Sequence, residues 1–201
     1  GFGVYPQGET KINGREVMDR VKRERDRFVG FVLEGVDEIP AKDKVSGYAK
    51  FIDNNTLMVA DHTEIKANRI VIATGSRPAY PAVWNELGDR LVINDDVFDW
   101  DDLPESVAVF GPGVIGLELG QALHRLGVKV KVFGLGGQVG PLTDPDVMAY
   151  ATKAFQQEFY LDPNVQVESM KRIASSDESN SDKVEIKFVN HDGELETFIV
   201  D

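Results

Sequence analysis

Cysteine is absent from all 201 residues of the chain. Without a thiol, these residues can hold no disulfide, thiolate metal ligand, iron–sulfur cluster or cysteine nucleophile. Histidine is scarce too, and the three present, His62, His124 and His191, are too widely separated to match a metal-ligand spacing. We therefore expect no metal site.

The chain also has few positively charged residues relative to acidic ones, and it has no long apolar run. The 22 Lys and Arg residues face 34 Asp and Glu residues, a net charge of −12. Because nucleic acids are bound through clustered cations, this balance predicts no nucleic-acid partner. No apolar run approaches the roughly 20 residues that span a bilayer, and residues 1–10 do not resemble a signal peptide. These features predict a cytoplasmic protein without a membrane partner.

The first part of the chain predicts a long helix and then a meander. Asn13 and Glu16 have capping-box spacing, and apolar residues recur at helical intervals over residues 13–39. Cations concentrate in the first half of this helix. They form either an anion-binding face or, with interleaved acids, a solvated face. Turn residues separate three further segments and indicate an antiparallel meander, with strands at 45–51, 56–60 and 64–73.

The third of these segments ends in Ile70–Ala73, a continuous apolar run followed by Thr74, Gly75 and Ser76. Such a run is typical of a strand buried on both faces of a parallel sheet. Residues 77–104 are rich in Pro, Trp and Asp with little periodicity, and we interpret them as an inter-domain connection.

The second half predicts alternating strands and helices. Val107–Phe110 is the first strand, 114–126 a helix that stops at Gly127, and 128–133 a second strand. A helix is expected over 146–159. Three strands should follow at 165–170, 183–190 and 194–200, with a mobile loop over 175–182 and a turn at 191–193. We expect an internal piece of a longer protein for two reasons. The parallel strand at Ile70–Ala73 has no predicted neighbours, and the sequence stops directly after the predicted strand at 194–200.

One motif carries chemistry: Gly111-Pro112-Gly113-Val114-Ile115-Gly116, a complete GxGxxG between a strand and a helix. In such a motif the first glycine permits a tight turn, the second lets the backbone approach a pyrophosphate, and the third lets the helix pack closely on the strand. The helix N-terminus offers free N–H groups to the phosphates. The alternative is a glycine-rich turn that binds nothing.

The residue that would bind the adenosine ribose is missing from its expected place. An acid should stand about 20 residues after Gly111, at the end of the second strand. That place holds Phe133 and Gly134, and the next acid is Asp144. No Lys or Arg stands there to pair with a 2′-phosphate either, since Lys129 and Lys131 are more simply the less buried face of the strand. The residues predict a dinucleotide without choosing NAD or NADP.

The order of these motifs resembles the flavin-dependent pyridine nucleotide–disulfide oxidoreductases. The resemblance rests on Ile70–Pro78, on the lead-in Asp102-Leu103-Pro104 and on VAVFGPGVIGLELGQALHRLGVKVKVF. It implies an α/β fold with Rossmann-like, three-layer FAD- and NAD(P)-binding domains and antiparallel β-meanders. It further implies the end of an FAD-binding domain over 1–76, a connection over 77–104 and a truncated NAD(P)-binding domain over 105–201.

The resemblance also implies residue roles. Ala73, Thr74 and Gly75 would lie against FAD. Gly111, Gly113, Ile115 and Gly116 would carry the nicotinamide dinucleotide, while Val114 would gate the nicotinamide pocket. Glu118 matches a family glutamate near flavin and nicotinamide, and from its residue type alone it is an ordinary exposed helix glutamate.

The resemblance implies that the parent protein passes electrons between a dithiol (dihydrolipoamide) and NAD through FAD. It also implies a role in redox homeostasis. We expect a homodimer, within a 2-oxo acid dehydrogenase complex. The first GxGxxG, the CxxxxC pair and the catalytic His–Glu pair of the family are absent here, so we expect no catalytic residue in these 201 residues and no activity from them alone. Two alternatives are another disulfide or mercuric-type reductase and a non-catalytic dinucleotide-binding module.

Overall fold

The computed structural model describes residues 8, 11–175 and 181–201. The chain divides into two compact units, one made of Arg23–Pro78 and the other of the residues up to Lys22 together with Ala79–Asp201. The assignment of FAD to the first part of the chain and of NAD(P) to the second stays a prediction. The loop expected to be mobile over 175–182 lies largely outside the described residues.

The first helix, α1, spans Gly14–Asp37 and begins as predicted. The Asn13 side-chain oxygen accepts from the Glu16 backbone N–H at 3.3 Å, and the Asn13 amide donates to the Glu16 carboxylate at 2.9 Å. The first half of the predicted capping box is therefore present, while the Glu16 carboxylate binds the Asn13 side-chain amide instead of the Asn13 backbone N–H. Cations of the first half pair with acids, as in Arg15 with Asp102 at 3.1 Å, which favours the solvated-face interpretation over an anion site.

The smaller unit contains the predicted antiparallel meander. Its strands are β1 (Ala49–Asp53), β2 (Thr56–Val59) and β3 (Thr63–Lys66), paired in the order β1-β2-β3. Thr56 and Val59 are buried on β2, the central strand of this sheet.

The prediction of a buried parallel strand at Ile70–Ala73 is wrong for this structure. β3 ends at Lys66, and residues 70–78 belong to no helix or strand. Val71 is 87% exposed and Ile72 is 71% exposed. Apolar composition alone does not make a strand, because the ladder requires a neighbour with free N–H and C=O groups. Among the described residues, no strand lies beside this segment.

The larger unit is built around a parallel sheet of β4 (Ser106–Phe110), β5 (Lys129–Phe133) and β6 (Tyr160–Asp162), in the order β4-β5-β6. Two helices connect these strands. They are α2 (Val114–Arg125) and α3 (Pro145–Gln156). The short strand β6 was not predicted from the sequence, because three residues are too few to show a period.

An antiparallel sheet of β7 (Gln166–Ile173), β8 (Lys183–Val189) and β9 (Leu195–Val200) follows, with the predicted turn at 191–193. Its central strand β8 buries Val184, Ile186 and Phe188 in one cluster with Phe133 of the parallel sheet. The second cluster of this unit lies where α2 packs on β5, around Leu117, Leu123, Val130 and Val132.

The predicted connection at 77–104 is structured rather than irregular. It contains two 3₁₀ segments, Ala82–Arg90 and Asp96–Asp99. Leu87 is buried in the cluster around Phe133, and Trp100 packs against the cluster under α2. The segment lacks helical or strand periodicity because single large side chains, rather than a continuous face, attach it to the core.

None of the helices that the structure describes combines the length and the apolar character needed to cross a bilayer.

Candidate functional site: a glycine-lined dinucleotide loop

The predicted strand–glycine turn–helix is present, and its register places the turn at the carboxyl edge of the parallel sheet. Phe110, the last residue of β4, is opposite Phe133, the last residue of β5. The Gly111 N–H donates to the Phe133 carbonyl at 2.8 Å, so the turn begins immediately at the ends of both strands. This edge is where ligands bind in open α/β sheets.

The three glycines of the motif have different surroundings. Gly111 has a φ of +108°, a left-handed conformation that favours glycine. A Cβ added to Gly116 would lie 2.1 Å from the Gly111 carbonyl oxygen, so the helix approaches the turn more closely than any other residue allows. A Cβ added to Gly113 would meet nothing within 4 Å. The glycine at 113 therefore faces open space, as a cradle for a ligand requires.

Helix α2 begins at this open glycine. Gly113 is its N-cap and provides no side-chain hydrogen bond to the first turn. The N–H groups that open a helix have no partner within it, and the helix dipole places partial positive charge there. Gly120 lies one turn after Gly116 on the side of α2 that faces the sheet, where an added Cβ would be 3.2 Å from Val132, so the glycine lets the helix pack closely on β5. The residues present fit a dinucleotide pyrophosphate.

Val114 and Glu118 are brought together at a cleft beside this helix. The cleft has a volume of about 240 Å³ and is lined otherwise by apolar groups. Its lining residues are Val114, Leu117, Glu118, Val139, Gly140, Pro141, Leu142 and Phe155. Val114 and Ile115 are about half exposed, at 49% and 54%. Of the predicted site residues, Val114 and Glu118 line this cleft, while the glycines form the turn that precedes α2 and its first turn.

Ala73, Thr74 and Gly75 belong to the other unit. All three are exposed in the irregular segment that follows β3, and Gly75 has a φ of +71°. By themselves they form no cradle that would enclose a flavin. Their role toward FAD stays a prediction.

A feature that the sequence reasoning missed is Pro112. It is buried, and its ring fills the space beside Gly134 that a side chain would need. Four glycines within residues 134–140 were a signal of close backbone approach.

Lys131 is more enclosed than its predicted place on the less buried face of β5 suggested. Its ammonium pairs with Glu196 and lies 4.3 Å from the Tyr160 ring centroid and 4.8 Å from that of Phe188. Burial first, and then nearby acids, raise the pKa of Tyr160 above its ordinary value. The antiparallel sheet covers this face of β5, so Lys131 supports packing. Lys129 is exposed as expected.

The described residues (8, 11–175 and 181–201) contain no group of three or more His, Cys, Asp or Glu side chains arranged to hold a metal ion.

Comparison with curated proteins gives relatives of this chain. The dihydrolipoyl dehydrogenase of Vibrio parahaemolyticus is 31% identical over 165 residues, covering 79% of this chain and 33% of the relative. The soluble pyridine nucleotide transhydrogenase of Mycobacterium bovis is 35% identical over 111 residues, covering 53% of this chain and 24% of the relative. The chain thus spans about a third or less of the length of these curated relatives.

Solved structures confirm the fold. LpdA from Mycobacterium tuberculosis matches with a TM-score of 0.69 at 24% identity, over 96% of this chain and 42% of that one. The HOCl-induced flavoprotein disulfide reductase RclA from Escherichia coli, as its Cu(II) complex, matches with a TM-score of 0.67 at 23% identity, over 90% of this chain and 40% of that one. The expected α/β fold with Rossmann-like units and antiparallel meanders is therefore confirmed.

The family model for pyridine nucleotide-disulphide oxidoreductases matches residues 13–197, which takes in both units and the whole glycine site. The chain therefore belongs to the pyridine nucleotide-disulphide oxidoreductase family, as its motif order predicted.

Proposed function

We propose that this chain supplies the nicotinamide dinucleotide site of an FAD-dependent oxidoreductase that passes electrons between a dithiol, dihydrolipoamide, and NAD. The observation that carries the proposal is the N-terminus of α2 at Gly113, which follows directly on the end of β4 and has open space where a side chain would stand. The 31% identity to a dihydrolipoyl dehydrogenase supports the choice of substrate.

The residues of the site would act by binding and orienting. When bound, the dinucleotide supplies or accepts a hydride at its nicotinamide ring. Gly111 and Gly113 would let the backbone approach the pyrophosphate, and the first N–H groups of α2 would donate to it. Val114 would limit access to the nicotinamide side, where Glu118 lies in the same cleft. Ala73–Gly75 would contact FAD in the whole protein.

These 201 residues would not perform the complete reaction alone. They contain no cysteine, so no thiol is present to exchange with a disulfide. We expect the chain to bind dinucleotide and to show no lipoamide-dependent NAD reduction. Such reduction by the isolated chain would contradict the proposal. For the whole protein we propose a cytoplasmic homodimer that serves a 2-oxo acid dehydrogenase complex.

A second candidate is hydride exchange between pyridine nucleotides. The 35% identity to a soluble transhydrogenase favours it. Another disulfide or mercuric-type reductase and a non-catalytic dinucleotide-binding module are the remaining alternatives. In the whole protein, a CxxxxC pair encoded beside this segment would favour the dithiol reaction, whereas NADPH-to-NAD exchange without any dithiol would favour the transhydrogenase.

The binding step is tested with Gly113→Val. Gly113 has a φ of −74°, which valine adopts, and open space for the side chain. We expect NADH affinity to fall by at least about tenfold, which corresponds to ~1.4 kcal/mol, because the isopropyl group blocks the pyrophosphate. Calorimetric titration measures this.

Gly35→Val is the matched control, since Gly35 is a helical glycine that also has open space around it. It should leave NADH affinity unchanged. Equal affinities for the Gly113 variant and the unaltered chain would refute the proposed site.

A further inference from the structure

We infer that the dinucleotide site accepts NADH and NADPH with similar affinity, because the strand end that would select between them has neither a carboxylate nor a cation. This inference rests on the proposed dinucleotide function and adds the identity of the ligands. The two nucleotides differ only at the adenosine ribose, which carries a 2′-hydroxyl in one and a 2′-phosphate in the other.

The selecting position is sterically closed. An acid at the end of the second strand ordinarily accepts from the ribose hydroxyl and thereby favours NAD. The residue there is Gly134, which is buried. An added Cβ would lie 2.6 Å from Cγ of Pro112 and 2.7 Å from the carbonyl oxygen of Pro163. No carboxylate side chain fits at this position.

Hydrogen bonds hold the surrounding backbone in place. The Gly134 N–H donates to the Asp162 carbonyl at 2.7 Å, and the Val165 N–H donates to the Gly134 carbonyl at 3.0 Å. The Gly140 N–H donates to the Pro112 carbonyl at 2.7 Å, which ties the far end of the loop to the glycine motif. A side chain at 134 would have to break these hydrogen bonds to gain room.

The adjoining loops carry no charge that would replace the missing acid. Residues 133–143 and 111–117 contain no Asp, Glu, Lys or Arg. Asp144, the next acid, is occupied as the N-cap of α3. Asp162, at the end of β6, is buried and accepts from the Asn164 N–H at 2.9 Å. A 2′-phosphate at Gly134 would thus meet neither a repelling carboxylate nor a binding cation on these loops.

The first side chain beyond Gly134 is Leu135, which is 83% exposed. A charge placed here would lie beside the ribose without disturbing the core. Leu135 is therefore the position at which selectivity can be introduced.

The test is titration of the unaltered chain with NADH and with NADPH, followed by nicotinamide fluorescence and calorimetry. We expect dissociation constants within about threefold of each other, where a selective site would differ by tenfold or more. Between roughly 0.1 and 0.5 M salt, NADPH should not weaken relative to NADH, because screening acts on a phosphate–cation contact and none is present on the adjoining loops.

The outcomes separate this inference from the function on which it rests. A tenfold preference for either nucleotide overturns the inference while the dinucleotide site stands. Binding of neither at about 1 mM, the upper end of ordinary enzyme affinities, overturns both. A selective loss of NADPH with salt also overturns the inference, because it reveals a cation at the ribose.

Two opposite variants locate the ribose. Leu135→Arg should tighten NADPH about three- to fivefold, as expected for an exposed ion pair, and leave NADH unchanged. Leu135→Asp should weaken NADPH by a similar factor without weakening NADH, because a carboxylate repels the 2′-phosphate and can accept from the ribose hydroxyl. The control is Leu195→Arg, a charge at a 65% exposed leucine on β9, which should alter neither affinity. An unchanged NADPH affinity in both Leu135 variants would overturn the placement of the ribose at Gly134.

Discussion

Two glycines of one turn serve opposite purposes. At Gly116 a side chain is excluded because the helix touches the turn, whereas at Gly113 the space is open and available to a ligand. Their positions in the motif predicted a packing role for Gly116 and a ligand role for Gly113. The distances agree with the packing role, and the ligand role stays a prediction.

We expect Gly116→Ala to lower the free energy of unfolding by about 1–3 kcal/mol, because the methyl group would overlap the Gly111 carbonyl and force the backbone apart. Urea denaturation measures this. Gly113→Ala is the control, with a change of about 1 kcal/mol or less, the ordinary cost at an N-cap. If Gly116→Ala lowered the free energy of unfolding by less than Gly113→Ala, the backbone of the turn would be able to accommodate the methyl group at little cost.

The Glu158 carboxylate gives the larger unit a pH-dependent stability. It accepts two hydrogen bonds from Arg125 at 3.0 Å and one from Gln121 at 2.9 Å, and so links α2 to the segment that follows α3. The Arg125 hydrogen bond is the largest influence and holds the pKa of Glu158 below its ordinary value of 4.5, against the opposing effect of burial.

A carboxyl whose pKa is lowered by folding stabilises the protein above its unfolded pKa, and this stabilisation is lost as the pH falls through the folded pKa. Glu158→Gln should therefore reduce stability most above pH 4.5, with the difference from the unaltered chain shrinking at lower pH. Denaturation at a series of pH values measures this. Glu194→Gln, in the exposed turn after β8, is the control. If the difference in stability between Glu158→Gln and the unaltered chain stayed constant down to about pH 3, it would not depend on ionisation of Glu158, and the prediction would be wrong.

At the scale of elements, helix starts follow local chemistry. α3 begins after Asp144, whose carboxylate accepts from the N–H groups of Asp146 and Val147, both at 3.0 Å. Pro145 occupies the first helical position, where its missing N–H costs nothing. The sequence placed this helix within one residue at its start, but extended it three residues too far, to 159 rather than Gln156.

Asp144→Ala should lower the unfolding free energy by about 1 kcal/mol, since two N–H groups lose their acceptor. Asp144→Asn keeps the acceptor oxygen and should recover most of the stability. Thermal unfolding of the two variants measures the difference. If Asp144→Ala and Asp144→Asn lost the same stability, the negative charge of Asp144 rather than its capping hydrogen bonds would account for the effect.

At the scale of the whole chain, the smaller unit contains one antiparallel sheet, and the larger unit contains a parallel and an antiparallel sheet. In the larger unit the antiparallel sheet packs through Phe188 against Phe133 of the parallel sheet, with ring centroids 4.9 Å apart. Both side chains are almost completely buried, at 0% and 1% exposure. This contact joins the last strands of the chain to the sheet that carries the glycine site.

Phe188→Ala should therefore lower the unfolding free energy by about 3–5 kcal/mol, the range for truncation of a buried aromatic residue. Leu195→Ala, on a 65% exposed side chain of the neighbouring strand, should change it by less than about 0.5 kcal/mol. Chemical denaturation followed by circular dichroism compares the two. Comparable effects would mean that Phe188 does not link the two sheets.

Some features followed from the sequence alone. The capping box at Asn13, the turn at 191–193 and the strand–glycine–helix unit all depend on residues close in the chain, and local backbone chemistry determines them. The family was also recoverable, because its motifs are short, ordered and specific. The missing acid after β5 was readable as well, since it requires only the identity of Gly134.

Other features depended on tertiary contacts. Ile70–Ala73 has the composition of a buried strand but lies exposed, because a strand forms only where a partner offers hydrogen bonds. Lys131 became enclosed because another sheet covers its strand. Only the structure showed that Pro112 fills the space beside Gly134, since those residues are 22 positions apart and meet through the turn at the strand ends. The sequence alone determined which side chains are present. Tertiary packing determined which positions have open space for a ligand, because a closely packed interior leaves few gaps.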